Sequence, residues 1–224
     1  MIDTPYRWVA RAAGEGGPLL VCEAGAFADW TGAVHDEDWR LDPACDLARA
    51  EAVLFADDDE AEAGLLPFGP DGRHTGLIWE MEGGGVAGIA TAGGESLLIM
   101  RSWVDRDDDG PRDHVTGAAA RDQERPLPGD LDLPSGRVAV VWAAAPAAEV
   151  AAPPADAVMD PPVRLSLPGI LGVGAMLALR PGRYRVSHGS HDGAAGRFAP
   201  AGRPGDGDGD WSCRWVRLDR HAEG

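Results

Sequence analysis

Asp105, Asp107, Asp109 and Gly110 spell D-x-D-x-D-G, the opening of an oxygen-ligand calcium loop in which carboxylates alternate toward the ion and glycine makes the sharp turn. Thr116 stands at the twelfth position, where a bidentate Glu would supply two more oxygens, so the stretch reads as a solvated acidic linker. Asp206, Asp208 and Asp210 repeat the spacing, but Trp211 replaces the glycine and Arg217 the closing acid. His188, His191 and Asp192, in HGSHDG, offer two imidazoles and a carboxylate near one another, with Cys213 able to approach if the following loop folds back. No further ligands stand at recognisable spacing, and no metal or other cofactor is assigned.

Nucleophile signatures are missing. There is no G-x-S-x-G, and S-x-x-K is excluded because the chain contains no lysine. A Ser, His, Asp triad assembled only by the fold stays open. Gly83 to Gly85 lacks the Lys and the strand-to-helix setting of a phosphate loop and reads as a hairpin turn. Cys22, Cys45 and Cys213 are odd in number, widely spaced and without a C-x-x-C pair, which predicts reduced, buried thiols rather than disulfides or a zinc site.

With 37 acidic and 20 basic residues the chain carries a formal charge of −17, and every one of the 20 is arginine. Such a field repels nucleic acid and anionic membrane surfaces and steers a basic protein into contact. Most of the eight tryptophans lie in or beside apolar runs and belong to the core. Trp39 is the exception, set between Asp36, Glu37, Asp38 and Arg40. An aromatic ring within a carboxylate patch suits an arginine-rich partner, through ion pairing and stacking together. Asp36, Glu37, Asp38 and Trp39, with the acidic run Asp57, Asp58, Asp59 and Glu60, are therefore the candidate partner-binding residues.

The elements that would position these residues are mostly strands. Tyr6 to Arg11 and Pro18 to Glu23 flank the Gly14 to Gly17 turn signal as an opening hairpin, followed by a helical turn at Ala24 to Trp30. Asp42 before Pro43 predicts a short helix to Ala50, and Glu51 to Ala56 a strand. Thr75 to Glu82 and Val86 to Thr91 flank the triple glycine as a second hairpin, and the continuous apolar run Ser96 to Val104 reads as a central strand buried on both faces. Strands resume at Arg137 to Ala144, Val163 to Leu167, Ala175 to Leu179, Arg183 to Ser187 and Cys213 to Leu218. Tyr184 and Val186 alternate with Arg183, Arg185 and Ser187, giving that strand one core face and one wet face. Pro146 to Pro162 and Gly189 to Asp210 read as loops.

The predicted class is α+β, predominantly β: a mixed sheet with short helices over residues 1–104, an acidic Pro and Gly linker over 105–134, and an antiparallel sandwich-like half over 135–224. The N-terminus shows no signal-peptide pattern and the apolar run Leu167 to Leu179 is too short to span a bilayer, so a cytoplasmic location is expected.

Gly16 to Gly32 (GGPLLVCEAGAFADWTG), D-P-A-C at Asp42 to Cys45, EAVLFADD ahead of Leu65-Leu66-Pro67, and LLIMRSW at Leu97 to Trp103 together resemble the immunity protein 21 family of bacterial polymorphic toxin systems. The resemblance implies a non-catalytic inhibitor that binds and occludes a cognate toxin, here a basic one. A metal-dependent hydrolase built on HGSHDG and the Asp105 to Gly110 stretch, or a β-sheet accessory protein with neither role, are the alternatives. Oligomeric state is not readable from the sequence.

Overall fold

The computed structural model describes residues 5–55, 62–79, 83–103, 109–154, 157–192 and 211–222. Twelve strands form among them: β1 (Arg7–Gly14), β2 (Leu19–Glu23), β3 (Ala63–Phe68), β4 (His74–Trp79), β5 (Gly85–Ala92), β6 (Ser96–Trp103), β7 (Arg125–Leu133), β8 (Arg137–Trp142), β9 (Val163–Leu167), β10 (Ile170–Ala178), β11 (Gly182–His191) and β12 (Ser212–Arg220). Three helices join them: α1 (Asp46–Leu54), α2 (Asp109–Thr116) and α3 (Ala118–Gln123).

The strands make two six-stranded sheets, sheet A in the order β1-β5-β6-β12-β11-β7 and sheet B in the order β3-β4-β2-β8-β10-β9. The predominantly β class holds, but every pairing among the described strands is antiparallel, so neither half is a mixed sheet. The predicted split at 105–134 also gives way. β6 pairs with β12 from Trp103↔Ser212 to Ser96↔Asp219, and β2 pairs with β8 from Leu19↔Trp142 to Glu23↔Val138, so both sheets mix strands from the two sides of that boundary. The supposed linker itself supplies α2, α3 and β7.

Two predicted hairpins are instead crossings between sheets. β1 pairs with β5 and β2 with β4, so the Gly14 to Gly17 turn carries the chain from one sheet to the other, and β5 lies back in sheet A after β4 in sheet B. Glu51 to Ala56 was expected as a strand; through Leu54 it continues α1, because Leu47, Ala50 and Leu54 recur at helical spacing and bury one stripe. Cys45, not Asp42, caps that helix, its Sγ accepting from the Ala48 N–H at 3.5 Å.

The apolar side chains fall into three layers. Between the sheets lie Val21, Leu77, Trp79, Ile89, Ile99, Val140, Tyr184, Val216 and Leu218. On the outer face of sheet B, Leu20, Ile78 and Val141 pack beneath α1, Phe27, Trp30 and the segment around Ala145. On the outer face of sheet A, Ala90, Leu98, Met100 and Trp215 pack beneath α2 and α3 through Val115 and Ala120. Both sheets are therefore buried on both faces, which is why β6 and β8 read as unbroken apolar runs.

One ion pair fastens the outer layer to sheet A. Arg217, fully buried, donates to Glu124 Oε1 at 2.5 Å, to the Tyr6 hydroxyl at 2.6 Å and to the Val115 carbonyl at 2.6 Å. Glu124 also accepts from Trp215 Nε1 at 3.1 Å and from the Ser187 hydroxyl at 2.8 Å. Every arm of this guanidinium is engaged, which is the condition under which a buried charge is tolerated. Glu124→Ala is expected to cost about 3 kcal/mol or more by leaving the Arg217 charge uncompensated, while Glu124→Leu combined with Arg217→Met restores most of that loss; urea unfolding of the three proteins measures both.

Candidate functional site

Trp39 sits at the tip of a small hairpin closed by the His35↔Leu41 bridge. Asp36 organises the turn. Its Oδ1 accepts from the Asp38 and Arg40 N–H groups, both at 2.9 Å, its own N–H donates to the Arg40 carbonyl at 2.9 Å, and its carbonyl accepts from the Trp39 N–H at 3.1 Å. An Asx-type turn of this kind fixes the backbone without help from the core. It holds Trp39 at φ +60°, a left-handed conformation that a bulky residue rarely adopts, and leaves the residue 84% exposed.

The base of the hairpin is anchored. Asp42 N–H donates to the Val34 carbonyl at 2.7 Å, Leu47 N–H to the Gly32 carbonyl at 3.2 Å and Ala33 N–H to the Ala144 carbonyl at 3.0 Å. Gly32, at φ +63°, lies so close to Pro146 that a Cβ would fall 2.5 Å from the Pro146 nitrogen. Thr31 and the buried Asp46 bond reciprocally: the Thr31 N–H and hydroxyl reach Oδ2 at 2.9 and 3.0 Å, and the Asp46 N–H reaches the hydroxyl at 3.0 Å. The exposed Trp39 thus stands on a rigid footing, with Glu37 and Asp38 exposed beside it. Asp57, Asp58, Asp59 and Glu60 lie outside the described residues.

The residues predicted from HGSHDG do not converge. His188 and His191 are three apart on β11, which sends them to opposite faces of sheet A. His188 Nδ1 meets Glu62 Oε2 at 3.2 Å, while the His191 ring stacks on His114 of α2 at 4.6 Å and on Trp211 at 4.5 Å. Of the loop expected over Gly189 to Asp210, the start belongs to β11, which runs to His191, opposite Cys213 of β12, and residues 193–210 lie outside the described residues. Burial pushes the Cys213 thiol up to about 12 and raises that of Cys22 further, so neither is a thiolate nucleophile at neutral pH. All three cysteines are free and buried.

Asp109 and Gly110 open α2 instead of a calcium loop, and the Thr116 hydroxyl donates back to the Arg112 carbonyl at 2.9 Å. Asp105, Asp107, Asp206, Asp208 and Asp210 lie outside the described residues. Among the described residues no group of three His, Cys, Asp or Glu side chains is placed to hold a metal ion.

Among the described residues, three histidine–carboxylate pairs are formed, His74 with Asp29 (2.8 Å), His188 with Glu62 and His221 with Asp130 (2.9 Å). None of the three histidines hydrogen-bonds a Ser, Thr or Cys side chain among the described residues. Sequence reasoning did not single out Asp29, whose carboxyl is held below its ordinary value by hydrogen bonds first from Arg73 and then from His74.

The chain matches no protein-family model, no curated protein and no solved structure. No helix among the described residues is long and apolar enough to cross a membrane.

His114 of α2, half-buried, couples the fold to pH. Its Nε2 has no hydrogen-bond partner, and its ring is enclosed by His191, Trp211 and Trp215. Burial first, and the facing His191 second, hold it below the ordinary value of 6.5, against a hydrogen bond to Gln123 that acts the other way. The unfolded chain then binds more protons than the folded one below 6.5, so this site's contribution is complete above that value and is lost as the pH falls toward the depressed folded value. Urea midpoints should decline on acidification through this window, and His114→Phe, which cannot charge, should flatten the decline.

Proposed function

We propose that this chain is a non-catalytic binding protein that captures a basic protein partner, a cognate toxin, in the cytoplasm, and that the Trp39 hairpin is its principal contact. The observation that carries the reading is Trp39 itself: an exposed tryptophan in a left-handed conformation, pinned by Asp36 on an anchored turn. Exposing so large an apolar surface and holding an unfavourable backbone angle both cost stability, and such costs concentrate where a surface is used. Tryptophan is also the residue most enriched among those that dominate binding energy.

Chemistry narrows the partner. Glu37 and Asp38 flank the ring, and the net charge of −17 draws cationic proteins toward the surface. A guanidinium laid over the indole and paired with a flanking carboxylate would satisfy both groups at once. The toxin assignment comes from the resemblance of the Gly16 to Trp103 stretch to polymorphic-toxin immunity proteins, which supplies a partner class and no residue roles. A hydrolase built on HGSHDG finds less support, since His188 and His191 face opposite ways.

Trp39→Gly separates folding from function. Glycine accepts φ +60° without strain, so the variant is expected to be as stable as the parent or more stable by about 0.5–1 kcal/mol, yet to lose the partner. Affinity capture from source lysate at low salt, followed by a salt ramp, should release one stoichiometric basic protein from the parent chain. Trp39→Gly and Glu37→Arg/Asp38→Arg should both fail to retain it. Retention of the same protein by both variants would overturn the hairpin as the contact.

A further inference from the structure

His35 stands across the same hairpin from Trp39, and the two rings are neighbours. Its backbone bridges Leu41 on the opposite stem, and the centre of its imidazole lies 6.1 Å from that of the indole, with the planes inclined by 45°. Both residues are exposed.

The chain has six histidines, and the other five are engaged elsewhere. His74, His188 and His221 each meet a carboxylate, while His114 and His191 stack on one another beside Trp211. The His35 ring makes no hydrogen bond or ion pair with any described residue, and the ring it faces is Trp39. The charged groups of the hairpin are Asp36, Glu37, Asp38, Arg40 and Asp42. One oxygen of Asp36 is held by the Asp38 and Arg40 N–H groups, and Asp42 Oδ1 accepts from the Ala44 N–H. Of the elements that anchor the hairpin, α1 brings Asp46, which is bonded to Thr31 and Arg49, and the segment after β8 carries no charge from Ala143 to Ala148.

Histidine is the side chain that ordinarily gains a charge between about pH 8 and 5. We propose that His35 makes capture at the Trp39 hairpin dependent on pH, its protonated ring competing with the partner's arginine for the indole. This rests on the hairpin being the contact. An imidazolium against the indole is itself a cation–π partner, and it takes up ring surface that the incoming guanidinium needs. It also offsets part of the negative field of Glu37 and Asp38 that draws the guanidinium in. Both effects have one sign: affinity is greatest with His35 neutral and falls as the pH drops. By linkage, a bound partner in turn disfavours the proton on His35.

Titration of an octa-arginine peptide into the full chain at about pH 8 and about pH 5.5 tests this, with the parent, Trp39→Gly and His35→Gln compared. Acidification lowers the net negative charge of all three proteins alike, so the difference between parent and His35→Gln isolates position 35. Between the two pH values the parent should lose about two- to fivefold more affinity than His35→Gln, which stays polar and cannot charge. Urea midpoints of these two proteins should agree at both values, as the His35 ring is exposed. Equal binding by the parent and Trp39→Gly at the higher pH would overturn the hairpin as the contact, and this inference with it. Tighter binding by the parent than by Trp39→Gly, with the same acid response in parent and His35→Gln, overturns the competition alone and leaves the contact standing.

Discussion

An antiparallel sheet with apolar side chains on both faces needs two coverings, and this chain carries two such sheets. They cover each other on one side through Ile99, Val140, Val216 and their neighbours. The remaining two faces must be closed by whatever the connections supply, and that requirement sets the roles of α1, α2, α3 and the long segment after β8. Burial of apolar surface at roughly 25 cal/mol per Å² drives all three layers, but it is non-directional and leaves each covering free to slide. Arg217 removes that freedom for the outer layer of sheet A, since its bonds to Tyr6, Val115 and Glu124 are met in one arrangement only.

The coverings also decide where function can lie. On sheet B the layer built from α1 and the segment around Ala145 is secured by Thr31, Asp46 and Gly32, and the Trp39 hairpin projects from it. On sheet A the layer ends at the β1 edge, where Arg112 of α2 stacks over the Trp8 ring.

The sequence was readable where one rule dominated. Val163 to Leu167 matches β9 in both bounds, and Tyr184 and Val186 are buried between Arg183 and Arg185 as their alternation required, while Ser187, expected on the wet face, is buried with its hydroxyl donating to Glu124. Trp39 was legible as exposed because charges surround it; its left-handed backbone was not, since Asp36 imposes that conformation through bonds that spacing alone does not reveal. Residues 105–134 misled because β7 is an edge strand carrying two prolines and three charges, and α3 is a single short turn of alanines, so both look like loop. Pairing partners were hidden too: Gly14 to Gly17 and Gly83 to Gly85 carry hairpin chemistry, but the strands beside them find better partners across the chain. The stacking of Arg112 on Trp8 had no local signal, because the two lie on α2 and β1, about a hundred residues apart.

β12 lies between β6 and β11 in the middle of sheet A, although on the order of a hundred residues separate it from β6. Loop closure over that distance precedes any reward from the pairing, which places the chain among slow, topology-limited folders. On the ribosome the problem has a direction. β6 and β11 are both made before Ser212–Arg220 emerges, and until then each offers an unpaired apolar edge to any neighbouring chain. The nascent protein therefore passes through an interval in which two strands buried in the finished sheet stand with open edges.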